Sequence, residues 1–349
     1  MKHKVVERNS SIELLRILCM LAIVCGHIII CHHTVYSLSN PEEILRLFVI
    51  SFIMVHVNTF ALISGYFGIR FNLKRLVSLD LQTIFYSVAL FFVAVFLGWK
   101  CFSFRGTLVN FFPILTEQYW FVSCYAVVYL ISPLLNRWAE SMSMKEFQHI
   151  LIGGFFIIYL WPSLSFLINT PQFINDSGHG IVNMTFLYLL GRYLKMHFVD
   201  IRKSARYYGG GYILCSLCLF LFSLIISWIG GFEFTSLHSY NTLFILIGSV
   251  LLFLTFLQLK FKSRIVNWLA KPCLAAYLFH MNMNTWFDFC DWLGVRDIHG
   301  WNYIALLIVL PIVIYLISVC IEYLRMWAMM PLENFLSSVI ERHLKLSKE

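Results

Sequence analysis

Apolar positions along the chain gather into ten long runs separated by short polar connections, at about 12-32, 44-67, 79-99, 119-136, 149-168, 180-196, 207-230, 241-259, 266-287 and 301-324. Most approach the roughly 20 residues that a helix needs to cross a bilayer. The pattern therefore predicts an all-α polytopic membrane protein of about ten transmembrane helices, forming a single membrane domain over 1-349. The polar tail at 325-349 has the length of one short amphipathic helix. The sixth run, GIVNMTFLYLLGRYLKMHF, is short and polar at both ends, and it is kept because the charge pattern requires it.

The first run, Ser11 to His33, holds two residues that hydrophobicity alone would exclude, Arg16 and His27. Eleven positions apart, they differ by three helical turns plus roughly 20°, so they share one face about 16 Å apart along the axis. That face carries a cation near one surface and an imidazole deep in the bilayer. The structural alternative is an arginine that snorkels to the headgroups and a histidine that bonds to a neighbouring helix.

Composition and charge sharpen the picture. With 60% hydrophobic residues, 13% charged residues and 33 Phe, and a mean hydropathy of +0.77, the chain lies outside the range of soluble domains. When the N-terminus is placed in the cytoplasm, Arg46, Lys100, Arg105 and Arg296 alone of the 26 Lys and Arg residues fall outside. This positive-inside bias puts both termini in the cytoplasm and requires an even number of spans. The basic N-terminus does not read as a cleaved signal peptide, since no small-x-small site follows and Arg16 interrupts the run. The cysteines sit mostly inside apolar runs, which predicts reduced, buried thiols. No internal repeat is evident, and Gly209, Gly210 and Gly211 lack the spacing of a nucleotide loop. Cys31, His32 and His33 resemble metal ligands only until a second ligand pair is sought, so no metal is expected.

Four segments, in order, carry a resemblance. RILCMLAIVCGH, Arg16 to His27, resembles the Arg-x10-His motif in the first helix of the acyltransferase 3 family, integral membrane enzymes that acylate sugars. FALISGYFGIR, Phe60 to Arg70, is similar to the Ser-Gly-Tyr-Phe end of that family's second helix, and QYWFVSCYAVVYLISPLLN, Gln118 to Asn136, to its fourth. LAAYLFH, Leu274 to His280, resembles a small-x-Tyr-Leu-x-His segment near the family's C-terminal end. One departure is Ser78, where the family often carries a second basic residue after Arg75.

The resemblance implies an O-acyltransferase that moves an acyl group, acetyl first and succinyl as an alternative, from acyl-CoA to a hydroxyl of a cell-envelope or secreted polysaccharide or its lipid-linked precursor. It also implies a bacterial cytoplasmic membrane and polysaccharide synthesis or export proteins as partners; nothing points to nucleic acid. Arg16, with Arg70, Lys74 and Arg75, is expected to hold the CoA phosphates. His27 is expected to take the proton of the attacking hydroxyl. Oxyanion donors are sought among Ser64, Tyr66, Tyr119, Trp120, Tyr277 and His280. Glu117 would orient a histidine or bind sugar hydroxyls, and Asp176 and His179 would meet an acceptor. His56 reads as a satisfied interior histidine. The competing reading is a transporter or flippase for a polysaccharide or lipid-linked sugar, which broken helices in matching halves would favour.

Overall fold

The computed structural model describes residues 9-32, 40-168, 170-198, 203-229 and 237-346, and no strand occurs among them. Six helical segments are long and apolar enough to cross a membrane: Ser10–His32, Pro41–Phe67, Leu73–Phe96, Met144–Ser165, Ala205–Ile229 and Gly300–Leu336. The protein is thus a multi-pass, all-helical membrane protein. The remaining apolar runs form helices that are shorter, more polar or broken.

The first span, α1 (Ser10–His32), is the hub. It packs against α3 (His56–Phe67), α11 (Leu243–Gln258), α12 (Arg264–Ala270), α13 (Cys273–His280), α14 (Trp286–Trp292) and α15 (Gly300–Leu346). A helix apolar all round is expected to be buried. Leu15, Val24, Ile28 and Ile29 are fully covered.

The second span divides into α2 (Pro41–Ile53) and α3 at Met54 and Val55. Neither glycine nor proline is responsible. The Val55 carbonyl accepts hydroxyls from Thr59 at 2.7 Å and Ser249 at 3.2 Å, and side-chain groups inserted into the backbone ladder bend helices in this way. Below the break, α3 lies against α9 (Ile181–His197) with no room for side chains between the backbones. A methyl group on Gly65 would collide with the Tyr188 carbonyl, and one on Gly191 would sit 2.5 Å from the Leu62 carbonyl. Small residues permit such close packing in membranes.

Two expectations are corrected at the C-terminal end. The run at 266-287 is three short helices, α12, α13 and α14, rather than one continuous helix. Pro272 has no N–H with which to continue α12, and the Trp268 carbonyl it would have bonded is taken by the Tyr323 hydroxyl at 2.9 Å. After His280, Asn282 turns the chain: its side-chain oxygen accepts from the Asn284 N–H at 2.9 Å, and its own carbonyl accepts from Trp286 N–H. The 325-349 tail, expected to have the length of one short amphipathic helix, instead continues the helix of the last span, because α15 runs unbroken to Leu346. It is fastened to α4 (Leu73–Phe96) by polar contacts. Arg325 pairs with Glu322 and Glu333, each at 2.8 Å, while Tyr86 donates to Glu322 at 3.1 Å and Ser78 to Glu333 at 3.1 Å. Buried charges persist only where paired and hydrogen-bonded in this way.

A second clamp closes the far end of α1. Arg46 is buried, pairs with Glu43 at 2.6 Å, donates to the Tyr303 hydroxyl at 3.1 Å and contacts His32 Nδ1. His32 Nε2 donates to the Ile298 carbonyl at 2.8 Å. All ten cysteines are free thiols, including Cys215 and Cys218 within α10 (Ala205–Ile229); Cys101, Cys218 and Cys320 are exposed rather than buried.

Candidate active site

A cavity of about 810 Å³ runs beside α1. Its wall includes Arg16 at one end and Ile30 at the other, fourteen residues and about 21 Å of helix apart. The breaks in the fold face this space. His56, the first residue of α3, lines it, as do Lys271 and Cys273 at the α12–α13 junction and Trp286 and Phe287 at the start of α14. The start of α6 (Trp120–Ser141) and the loops around Ser177 and Tyr240 complete the wall.

At its centre His27 Nδ1 lies 2.9 Å from His280 Nε2. The protons follow from the neighbours. His280 Nδ1 meets the Ala276 carbonyl, which can only accept, so this nitrogen carries the hydrogen. In a neutral ring His280 Nε2 is then the acceptor, and His27 Nδ1 must donate to it. His27 Nε2 is left with its lone pair, the form a general base requires. His27 is part of the cavity wall, and His280 stands behind it, 2% exposed, edge-on to Trp286. The first helix supplies a candidate base, and α13, cut to eight residues by its flanking breaks, supplies the ring hydrogen-bonded to it.

Among the remaining expected residues, the hydrogen bonds discriminate. The Tyr119 hydroxyl donates to the Leu278 carbonyl at 3.1 Å and accepts from Asn282 at 2.7 Å, which ties α6 to α13 and leaves no donor for a substrate. Ser64 lines the cavity, but its hydroxyl donates to the Phe60 carbonyl at 3.0 Å. Tyr66 lies outside the wall, packed on Phe253 beneath Lys195. Tyr277 lines the cavity, and its buried hydroxyl has no partner among the described residues. Such a group costs about 1–3 kcal/mol unless a ligand satisfies it. Trp120 also lines the cavity, whereas Glu117 is exposed in the turn before α6 with φ 55°.

Arg16 faces the cavity, 3.8 Å from Glu13, with its side chain 38% exposed. Arg70, Lys74 and Arg75 are exposed away from the wall, and Lys74 reaches Asn334 at 3.3 Å. The second cation on the wall is Lys271, which the sequence reading counted only among the inside charges. His56 differs from its expectation as well: it is 3% exposed, lines the cavity, and its Nδ1 has no partner among the described residues. Tyr240 is a further wall residue with no sequence signal.

The histidines near the end of α1 do not form a comparable site. His32, Glu42 and His299 place ligand atoms within 4.8 Å of one another, but both His32 nitrogens are engaged, by Ile298 and Arg46. His33 lies outside the described residues.

A family model described as an acyltransferase domain matches residues 9–323. No curated protein and no solved structure matches the chain.

Proposed function

Because the chain belongs to the acyltransferase 3 family, we propose that this acyltransferase moves an acyl group, acetyl in the first instance, from cytoplasmic acyl-CoA to a hydroxyl of a cell-envelope polysaccharide or its lipid-linked precursor. In this reading the chain crosses a bacterial cytoplasmic membrane ten times with both termini inside. The run at 266-287 then crosses as a broken element. The observation that supports the chemistry is the contact of His27 Nδ1 with His280 Nε2 at 2.9 Å on a cavity wall, which would leave the His27 Nε2 lone pair free.

Arg16 and Lys271 would hold the donor's phosphates, since guanidinium and ammonium groups pair with phosphate oxygens. The pantetheine arm would lie along α1, whose lining residues extend about 21 Å. His27 Nε2 takes the proton of the acceptor hydroxyl as its oxygen bonds to the thioester carbon. Tyr277 donates to the carbonyl oxygen as it becomes an oxyanion. When the intermediate collapses, the carbon–sulfur bond breaks, and the departing thiolate takes the proton back from His27. No metal takes part in these steps.

A specific observation favours the second reading, transport of a glycan or lipid-linked sugar: the helix breaks at Met54 and Val55 and at Pro272 both border the cavity. One experiment separates the two. The protein in lipid nanodiscs is given isotope-labelled acetyl-CoA and a panel of envelope glycans, with His27→Ala as control. Labelled glycan ester from wild type and none from the variant is the expected result. Absence of CoA release, together with glycan movement across proteoliposomes, would establish the transporter instead.

A further inference from the structure

Three rings from three distant parts of the chain meet on the cavity wall. Trp120 begins α6, His179 lies in the loop before α9, and Tyr240 lies in the loop before α11. Ring centroids are 4.6 Å apart for Trp120 and His179 and 4.8 Å for His179 and Tyr240. Trp120 and Tyr240 are 6.0 Å apart and inclined by only 29°. His179 is exposed as well as part of the wall, so the cavity reaches the surface here.

Aromatic clusters are ordinary packing, but these loops are pinned by buried amides. The Tyr240 N–H donates to the Ser177 carbonyl at 3.0 Å, which joins the two loops. Beneath them, Asn58 of α3 donates to the Tyr240 carbonyl and Asn183 of α9 to the Gly178 carbonyl, both at 2.8 Å. The Tyr159 hydroxyl in turn donates to Asn183. Asn58 and Tyr159 are fully buried and Asn183 is 3% exposed. The rings are therefore held in place before any ligand arrives, as a binding site requires.

The platform also has a polar end, next to the base. The His56 ring lies 5.8 Å from Tyr240 and lines the same cavity as His27. Its buried Nδ1 has no partner among the described residues. A ligand suited to this surface has an apolar face to lie on aromatic rings, hydroxyls around its edge to satisfy an imidazole, and one hydroxyl to present to His27. A pyranose ring has these properties.

Resting on the transferase reading above, we propose that Trp120, His179 and Tyr240 form the acceptor subsite, that they stack one face of a pyranose, and that His56 hydrogen-bonds a ring hydroxyl beside the one that is acylated. The full-length protein in nanodiscs is tested by saturation-transfer NMR with methyl glycosides of N-acetylglucosamine, galactose and rhamnose as probes. Wild type should bind at least one of them. Tyr240→Ala and the exposed-site variant His179→Ala should each weaken that binding about tenfold, while Tyr240→Phe, which keeps the ring, should retain it. His56→Ala should weaken it several-fold without loss of the folded state. Failure of wild type to bind any probe, or unchanged binding in both alanine variants, would overturn the subsite. Glycoside binding that depends on Tyr240 in a protein that transfers no acyl group would leave the subsite standing and remove the transferase reading instead.

Discussion

The two central histidines make different predictions, although they lie 2.9 Å apart. In the proposed mechanism His27 holds the reactive lone pair, so His27→Ala should lower kcat by about 10²–10⁴, the usual worth of a positioned general base. His280 touches no substrate; it fixes which His27 nitrogen carries the proton. His280→Ala should therefore retain part of the rate, with an unchanged donor KM and an altered pH profile in steady-state assays. His280→Gln keeps an acceptor opposite His27 Nδ1 and should recover some of what alanine loses. A donor KM that rises in step with the fall in kcat would assign His280 to binding. Lys271→Ala should instead raise the acyl-CoA KM several-fold with kcat little changed, and Lys271→Arg should restore it. Arg16 and His27 were legible because both sit on one helix, where spacing fixes the shared face. Lys271, His56 and Tyr240 were not, because their importance comes from facing α1 across a cavity. Periodicity within one segment says nothing of what stands opposite. The same limit applied to the tyrosines: sequence placed Tyr119 and Tyr277 on equal terms, and only the bonds to Leu278 and Asn282 show Tyr119 engaged.

At the scale of elements, the length and hydropathy of the runs were sufficient to place α1, α4 and α10. The breaks were less visible. Pro272 and the Asn-rich stretch after His280 do carry local signals, but a run of otherwise apolar residues outweighed them. The division at Met54 and Val55 is only half local: Thr59 supplies one hydroxyl to the Val55 carbonyl, but the other comes from Ser249, nearly two hundred positions away. The contact between α3 and α9 is the element-level feature most open to a single change. Gly65→Ala places a methyl group against the Tyr188 carbonyl, and backbone cannot yield as a side chain can. Overpacking of this kind typically costs about 1–3 kcal/mol. The variant should unfold at a lower temperature in detergent. It should also lose activity out of proportion to its stability, because α3 carries His56 to the cavity and Asn58 to the carbonyl of Tyr240 on its wall. By contrast Gly153, with open space around it, should accept alanine without a measurable shift.

For the whole molecule the open prediction is which side each end of the cavity faces. Three of the four cations assigned to the outside are neutralised by a carboxylate: Arg46 by Glu43 at 2.6 Å, Lys100 by Asp288 at 2.9 Å and Arg296 by Asp291 at 3.3 Å. Arg70, Lys74 and Arg75, assigned to the inside, are exposed. Arg16, Arg192 and Arg325, also assigned to the inside, are paired with carboxylates as well, so ion pairing does not separate the two sides and the orientation rests on the count of Lys and Arg. Under the proposed orientation Arg16 would face the cytoplasmic donor and the mouth at His179 an external acceptor. Cys101 offers a direct test, since it is exposed in the connection between α4 and α5 (Phe104–Phe111), one residue after Lys100. The other exposed thiols, Cys218 and Cys320, sit within membrane-spanning segments. A membrane-impermeant maleimide applied to right-side-out vesicles should label the protein, and Cys101→Ser should remove most of that label. Labelling confined to inside-out vesicles would reverse the molecule. The cationic end of the cavity would then face away from cytoplasmic acyl-CoA, and the direction of acyl transfer proposed above would fall with it.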